Sequence, residues 1–139
     1  SAIVMGEGEH GQLFHGWHGL EKLRSRYNLL ARAVRWSKAR AAFALDLRGR
    51  GELRLQVFEP FAGPQAGPVT GEAVFADGRT APFSLSAKGW SVLRLPVPEA
   101  CRREDAVIEL RVDPARPQDG KAAADRRFLG LAVRKIWAT

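Results

Sequence analysis

Residues 41–58 read AAFALDLRGRGELRLQVF, and this stretch decides the fold class. Every second residue on either side of a Gly-containing turn is apolar: Ala41, Phe43, Leu45, Leu47, Leu53, Leu55 and Val57. After the turn, the apolar residues alternate with Arg54, Gln56 and Phe58. A period of two places successive side chains on opposite faces of a β-strand. The stretch therefore predicts two strands, each with one face in a core.

The same pattern recurs along the rest of the chain. Asp77-Gly78 lies between two apolar pairs, Val74-Phe75 and Phe83-Leu85, and predicts a hairpin because glycine adopts a positive φ at little cost. Further strands are predicted over residues 90–95, 107–112 and 128–136, the first two closed by proline-containing segments. Short strands between Gly/Pro turns predict an all-β chain that folds as an antiparallel β-sandwich of the jelly-roll type.

One region favours a helix instead. The side chains of Leu20, Leu23, Tyr27 and Leu30 have helical spacing, although no capping residue frames them. We expect one short helix near residues 20–30, with a helix or turn at 20–24 that leads into a strand at 29–36. Residues 1–12 are predicted to form a flexible or loosely ordered N-terminal segment, and residues 13–139 a single β-sandwich domain.

Composition is that of a soluble globular domain. The chain has 139 residues, of which 45% are hydrophobic and 27% charged, with a formal net charge of +7. It has no apolar run long enough to span a bilayer, no signal-peptide pattern and one cysteine, so we expect a cytoplasmic protein, with the inner face of the membrane as a further site. Acidic residues are interspersed among the basic ones, which makes nucleic acid an unlikely partner.

The residue types needed for catalysis are sparse. The three histidines, His10, His15 and His18, all lie in the first 18 residues, so no second element supplies an imidazole, and we predict no metal site. Cys101 precedes Arg102-Arg103, which could lower its pKa, but it has no evident base partner. The chain has no nucleophile-elbow or P-loop motif. We therefore predict a non-catalytic protein that uses no cofactor.

Three segments combine aromatic residues or glycine with charge: residues 15–21, 35–37 and 125–130. In one interpretation they form a polar lock, in which Glu21 pairs with Arg35 and Asp125 pairs with an arginine. In the other they form a sugar site, where an aromatic ring stacks on a pyranose and charged groups bind its hydroxyls. The candidate ligand-binding residues are Trp17, His18, Glu21, Arg35, Trp36, Asp125 and Arg127. The other tryptophans, Trp90 and Trp137, are interpreted as core.

In this order, the segments resemble a β-sandwich module of bacterial cell-surface polysaccharide proteins. The matching residues are Gly16-Trp17-His18-Gly19-Leu20-Glu21, Arg35-Trp36-Ser37 and Asp125-Arg126-Arg127-Phe128-Leu129-Gly130. In that family the module is often joined to glycosyltransferases or sugar-modifying methyltransferases. The resemblance implies a non-catalytic carbohydrate-recognition or substrate-positioning role in envelope polysaccharide synthesis, with a glycan or sugar-containing substrate and such an enzyme domain as partners. The alternative is a structural or protein-interaction β-sandwich with a basic surface and no ligand of its own.

Overall fold

The fold is an antiparallel β-sandwich, seen in a computed structural model that describes residues 2–25, 28–60, 67–113, 116–117 and 128–139. The strands of the first sheet are β1 (Ala2–Val4), β2 (Trp17–Ser25), β3 (Asn28–Ser37), β5 (Glu52–Glu59), β8 (Gly89–Pro96) and β12 (Ala132–Ala138). The strands of the second are β4 (Arg40–Leu45), β6 (Val69–Val74), β7 (Thr80–Leu85) and β9 (Ala106–Asp113). A short pair, β10 (Arg116–Pro117) and β11 (Phe128–Leu129), stands outside both sheets.

Strand order differs from chain order in both sheets. The first sheet has the order β2-β3-β12-β5-β8, with β1 also paired to β12, and the second has the order β4-β9-β6-β7. The predicted hairpin joins β6 to β7, and Gly78 in its turn has φ +88°. Two 3-10 turns, Glu9–Gly11 and Glu99–Cys101, are the helical segments of the described residues. The predicted all-β sandwich is therefore confirmed.

The core lies between the two sheets, as the alternation in residues 41–58 predicts. Phe43, Leu53 and Leu55 are fully buried in one continuous apolar cluster with Ile108 and Leu110 of β9. Burying side chains of this size stabilises a fold by about 1.5–3 kcal/mol each. The alternate residues of β5 point to the opposite, outer face of the first sheet.

The helix predicted near residues 20–30 is wrong. Residues 17–25 and 28–37 form β2 and β3, which pair antiparallel, with Leu20 opposite Arg35 and Glu21 opposite Val34. The leucine spacing at 20 and 23 fits a helix locally, but β3 also pairs with β12 and thereby joins the sheet. Pairing on both sides of β3 outweighs a local spacing that has no caps to stabilise it.

The N-terminal segment differs from the loosely ordered arrangement expected for residues 1–12. Residues 2–4 pair with β12, and Ile3 and Met5 are fully buried in the core. The Met5 N–H donates to the Arg134 carbonyl at 3.0 Å, and the Arg134 side chain donates back to the Met5 carbonyl at 3.1 Å. Residues 2–5 thus belong to the sandwich, because they supply apolar side chains to its core.

Residues 12–16 connect the two sheets. Their backbone runs along the free edge of β4, where the Phe14 N–H donates to the Ala42 carbonyl at 3.0 Å and the Ala42 N–H to the His15 carbonyl at 3.0 Å. Gly16 follows with φ +88° and lies against the backbone of Arg40. The chain then enters β2 of the first sheet, so this segment both covers an exposed edge and fixes where β2 begins.

Candidate functional site

The sequence segments that resemble the polysaccharide module meet through their backbones. The Lys38 N–H donates to the Gly16 carbonyl at 2.7 Å, and the Gly130 N–H donates to the Ser37 carbonyl at 2.7 Å. The hydroxyl of Ser37, a fully buried residue, accepts from the Leu131 N–H at 2.9 Å. These contacts join the start of β2, the end of β3 and the approach to β12. Glycine and serine in these segments therefore have a structural role.

Trp17, predicted as a stacking residue, links the two sheets. Its indole Nε1 donates to the Ala42 carbonyl of β4 at 2.9 Å, and its ring packs partly buried against the main core. A ring tied to the opposite sheet in this way stabilises the sandwich.

Arg35 is bound to the N-terminal segment. Its Nε lies 3.5 Å from Oε2 of Glu9, whose side chain is 2% exposed, and its Nη1 donates to the His18 carbonyl at 3.2 Å. Burial raises the pKa of Glu9. This effect is outweighed by hydrogen bonds from backbone N–H groups, including that of Gly6, and by the Arg35 guanidinium, so the pKa lies below its ordinary value. Glu9 is therefore the carboxylate that the structure places beside Arg35, where the sequence suggests Glu21.

The remaining predicted site residues are divided between faces. Glu21 is directly opposite Val34, so its side chain lies on the other face of the sheet from that of Arg35. Trp36 shares the face of Val34. Asp125 and Arg127 lie outside the described residues. Among the described candidates, Trp17 and Arg35 are thus separated from Glu21 and Trp36 by the sheet.

Aromatic residues form a row across the outer face of the first sheet. In register, Trp36 of β3 is opposite Ala132 of β12, Ala132 is opposite Phe58 of β5, and Phe58 is opposite Trp90 of β8. These side chains form a second apolar cluster with Val34, apart from the main core. Trp36 is 2% exposed, whereas Phe58 and Trp90 are half-buried. Trp36 therefore supports the row, and Phe58 and Trp90 are its accessible members.

Two further rows continue this surface along β12, β5 and β8. We call the resulting nine positions the aromatic–cationic face: Ala132, Phe58 and Trp90; Lys135, Gln56 and Val92; Trp137, Arg54 and Arg94. Strand spacing makes this face about 10 Å across and about 13 Å along the strands. Val92 at its edge is 42% exposed, and Trp137 is half-buried. Trp90 and Trp137 lie at opposite corners, so the interpretation of both as core residues is wrong.

A cation lies over each of these two tryptophans. The Arg32 guanidinium carbon is 5.0 Å from the Trp90 ring centroid, and Lys135 Nζ is 5.0 Å from that of Trp137. Phe58 and Trp90 pack with centroids 5.2 Å apart and ring planes tilted by 51°. Cation–π contacts and tilted ring pairs each contribute about 0.5–1.5 kcal/mol. Each of these rings thus has a partner within the protein.

The outer face of the second sheet has a different character. Arg40, Arg111 and Glu72 share one row there, and Glu109 lies in the next. Arg111 Nε is 2.7 Å from Oε1 of Glu109, and His15 Nε2 is 3.3 Å from Oε2 of the same carboxylate. The hydrogen bond from Arg111 lowers the pKa of Glu109 below its ordinary value, and the contact with His15 lowers it further. Burial acts in the opposite direction but is outweighed. This face has internally paired charges and no aromatic ring at its described positions.

Cys101 lies in the core, beside a cavity of about 130 Å³ lined by Phe75, Asp77 and Arg103 among others. Burial raises the pKa of its thiol, and the nearby Asp77 carboxylate raises it further. The lowering suggested by the adjacent arginines is therefore reversed, and the thiol is a poor nucleophile.

Metal-ligand clusters and membrane spans are absent from the described part of the chain. No three His, Cys, Asp or Glu side chains there come together as a metal would require. Likewise, none of the helical segments in those residues has the length and apolarity to cross a bilayer.

The accessible aromatic residues of the face are ones that sequence reasoning missed. Phe58 stands at an outward position of the alternation in residues 41–58, which was a usable signal. Trp90 and Trp137 stand at strand ends, where an apolar residue suits either face. Only the pairing of β12 with β5 and of β5 with β8 brings the three rings onto one surface.

Comparison with known proteins gives no family to which the chain can be assigned. A scan against protein-family profiles finds no match, and a search of curated proteins finds no significant relative. The function of the chain is therefore inferred from the geometry of the aromatic–cationic face.

Proposed function

We propose that the protein is a non-catalytic carbohydrate-recognition module whose ligand binds across the aromatic–cationic face. The observation that supports this most is the placement of half-buried Phe58, Trp90 and Trp137 on one outer sheet surface together with Gln56 and Arg94. Aromatic rings stack on the apolar faces of pyranoses, and amide and guanidinium groups bind hydroxyls.

The geometry favours a ligand that lies flat on the sheet. Trp90 and Trp137 stand at opposite corners of the face, and Gln56 stands at its centre. Two rings with a polar amide between them match a short saccharide that presents apolar and hydroxyl-bearing surfaces in turn. As the sequence resemblance suggests, such a module would position a glycan beside an enzyme of envelope polysaccharide synthesis, with a glycosyltransferase or methyltransferase domain as the partner.

Binding of the purified protein to a broad bacterial glycan array, at low and at moderate salt, tests the proposal. We expect binding that depends on sugar identity and persists at moderate salt, because stacking and hydrogen bonds are less screened than charge attraction. Trp90→Ala and Trp137→Ala should each lower affinity by about tenfold or more, as expected for the loss of about 1.4 kcal/mol.

Val107→Ala is the matched control, since Val107 is 43% exposed on the outer face of the second sheet, and it should leave affinity unchanged. Circular dichroism and melting temperature confirm that each variant is folded. Binding that depends on negative charge alone and disappears at moderate salt would contradict sugar recognition and indicate only a basic surface. Absence of binding at both salt concentrations would refute the proposal and favour a protein-interaction domain.

A further inference from the structure

We infer that the saccharide is acidic, with its anionic group over Arg94 and Lys135; this inference rests on the proposed function. The charged positions of the aromatic–cationic face are Lys135, Arg54 and Arg94, and none of its nine positions is acidic. The outer face of the second sheet has its arginines paired or flanked by Glu109 and Glu72. Glu52 in the next row balances Arg54, so, among the described residues, the unpaired cations of this face are Arg94 and Lys135.

The two arginines of this face differ in how their charge is balanced. Arg54 and Arg94 are directly opposite each other on β5 and β8, an arrangement that costs energy when both charges are uncompensated. Arg54 Nε lies 2.6 Å from Oε1 of Glu52, which balances it. Arg94 is exposed and forms no ion pair with any described residue. An anion over Arg94 would supply the missing counter-charge.

Lys135 provides the second cation for such an anion. It stands one row from Arg94 and two strands away, and its ammonium lies over the Trp137 ring. A sugar stacked beside Trp137 would therefore bring a ring substituent between Lys135 and Arg94. A carboxylate there would accept charge-assisted hydrogen bonds, which are stronger than those of a neutral hydroxyl.

The distribution of the cations favours an acidic saccharide over a single-stranded nucleic acid. Lys135 lies in the second row and Arg94 in the third, whereas the cation at the row of Phe58 and Trp90 is Arg32 of β3, which lies over the Trp90 ring. A nucleic acid has a phosphate on every unit and requires cations along its whole track. A saccharide with one acidic group beside a stacked ring requires them at one end only.

The test compares acidic oligosaccharides with their own neutral forms. Oligosaccharides of glucuronate, galacturonate and sialate are arrayed, each beside its carboxyl-reduced counterpart, together with a single-stranded oligonucleotide, all at moderate salt. We expect at least one acidic member to bind about tenfold more tightly than its reduced counterpart, in line with a charge-assisted hydrogen bond.

The best acidic ligand is then titrated with two charge-matched variants. Arg94→Gln should lower its affinity about tenfold and that of the reduced form much less, because the Gln amide can still donate to a hydroxyl but carries no charge. Arg40→Gln, which removes the same charge from an exposed position on the other outer face, should change neither.

Equal binding of acidic and reduced forms would overturn this inference while the proposed function stands. An unchanged affinity in Arg94→Gln would also overturn it, because the anion would then lie elsewhere. Failure of every saccharide to bind would overturn the proposed function itself. Tighter binding of the oligonucleotide than of any acidic saccharide would overturn both.

Discussion

At the scale of single residues, the Glu9–Arg35 pair shows how a nearly buried charge is accommodated. The Glu9 side chain is 2% exposed, and its carboxylate accepts from the Gly6 backbone N–H besides lying beside the Arg35 guanidinium. Breaking one partner of such a pair leaves the other charge uncompensated in a poorly solvated position. Because Gly6 and Glu9 precede β2 and Arg35 lies in β3, the pair fastens the N-terminal segment to the first sheet.

Glu9→Gln should lower the free energy of unfolding by about 2 kcal/mol at neutral pH, because a hydrogen-bonded charge is lost. Because the pKa of Glu9 is lower in the folded state than in the unfolded state, the ionised carboxylate stabilises the folded protein. This contribution is complete above the ordinary glutamate pKa and is lost as the pH falls through the pKa of the folded state. The difference between wild type and variant should therefore shrink below about pH 4.3. Urea denaturation of both proteins at several pH values between neutral and acidic measures this difference in the free energy of unfolding.

Glu7→Gln is the control for this experiment, since Glu7 is exposed in the same segment and its replacement should leave stability unchanged. A difference between wild type and Glu9→Gln that stays constant with pH would contradict the assigned role of the Glu9 carboxylate.

At the scale of elements, the passage from the β4 edge into β2 depends on one residue. Gly16 has φ +88°, a conformation that side chains with a Cβ rarely adopt, and its carbonyl accepts from Lys38. A Cβ at this position would overlap the Arg40 carbonyl oxygen and come within 2.6 Å of the Ala41 Cα. Backbone atoms on β4 cannot move away without disturbing the pairing of β4 with β9.

Gly16→Ala should therefore destabilise the protein by about 3 kcal/mol, through steric overlap and positive-φ strain together. Chemical denaturation followed by far-UV circular dichroism measures the change. Gly19→Ala is the matched control, because no heavy atom lies within 4 Å of its added Cβ. If the two variants were equally stable, the close contact of Gly16 with β4 would not be a constraint on the fold.

At the scale of the whole molecule, the two sheets share one core. The main apolar cluster includes Ile3 and Leu55 of the first sheet and Phe43, Ala73 and Phe83 of the second. Neither sheet can bury its inner face without the other, so we expect a single cooperative unfolding transition. Thermal melts followed by far-UV circular dichroism and by tryptophan fluorescence should coincide.

The Phe43→Ala variant tests whether the two sheets unfold together. The Phe43 side chain is fully buried, and its loss should cost about 3–5 kcal/mol and lower both melting curves by the same amount. Two separated transitions, or a shift in only one of the curves, would indicate that the sheets unfold independently.

The net charge of the whole molecule also affects its affinity for anionic ligands. The formal net charge of +7 attracts polyanions at low salt, whatever their chemistry. Binding at the aromatic–cationic face differs from this general attraction because its cations stand beside aromatic rings, and contacts at short range are screened less by salt. Salt dependence therefore separates the two effects in every binding experiment on this protein.

Local sequence patterns predicted the strands and core positions of residues 41–58, because alternation is a property of each strand alone. The positions of Leu53, Leu55 and Val57 predicted an inward face, and the structure has them fully buried. The Asp77-Gly78 turn predicted the β6–β7 hairpin, since both strands are adjacent in the chain. The same local reasoning failed for the helix at residues 20–30, because residues 17–25 pair with β3, within which the strand predicted at 29–36 lies.

The sequence by itself therefore determined an all-β chain and the inward residues of its clearly alternating strands, and it contains no recognised catalytic motif. Only the tertiary structure decided which outward residues share a surface. Trp36, Phe58, Trp90 and Trp137 come from four strands that are distant in sequence, and the order β3-β12-β5-β8 brings them together. Period-two alternation specifies the face of a residue relative to its own strand, whereas the neighbours of that strand depend on long-range packing of the whole core.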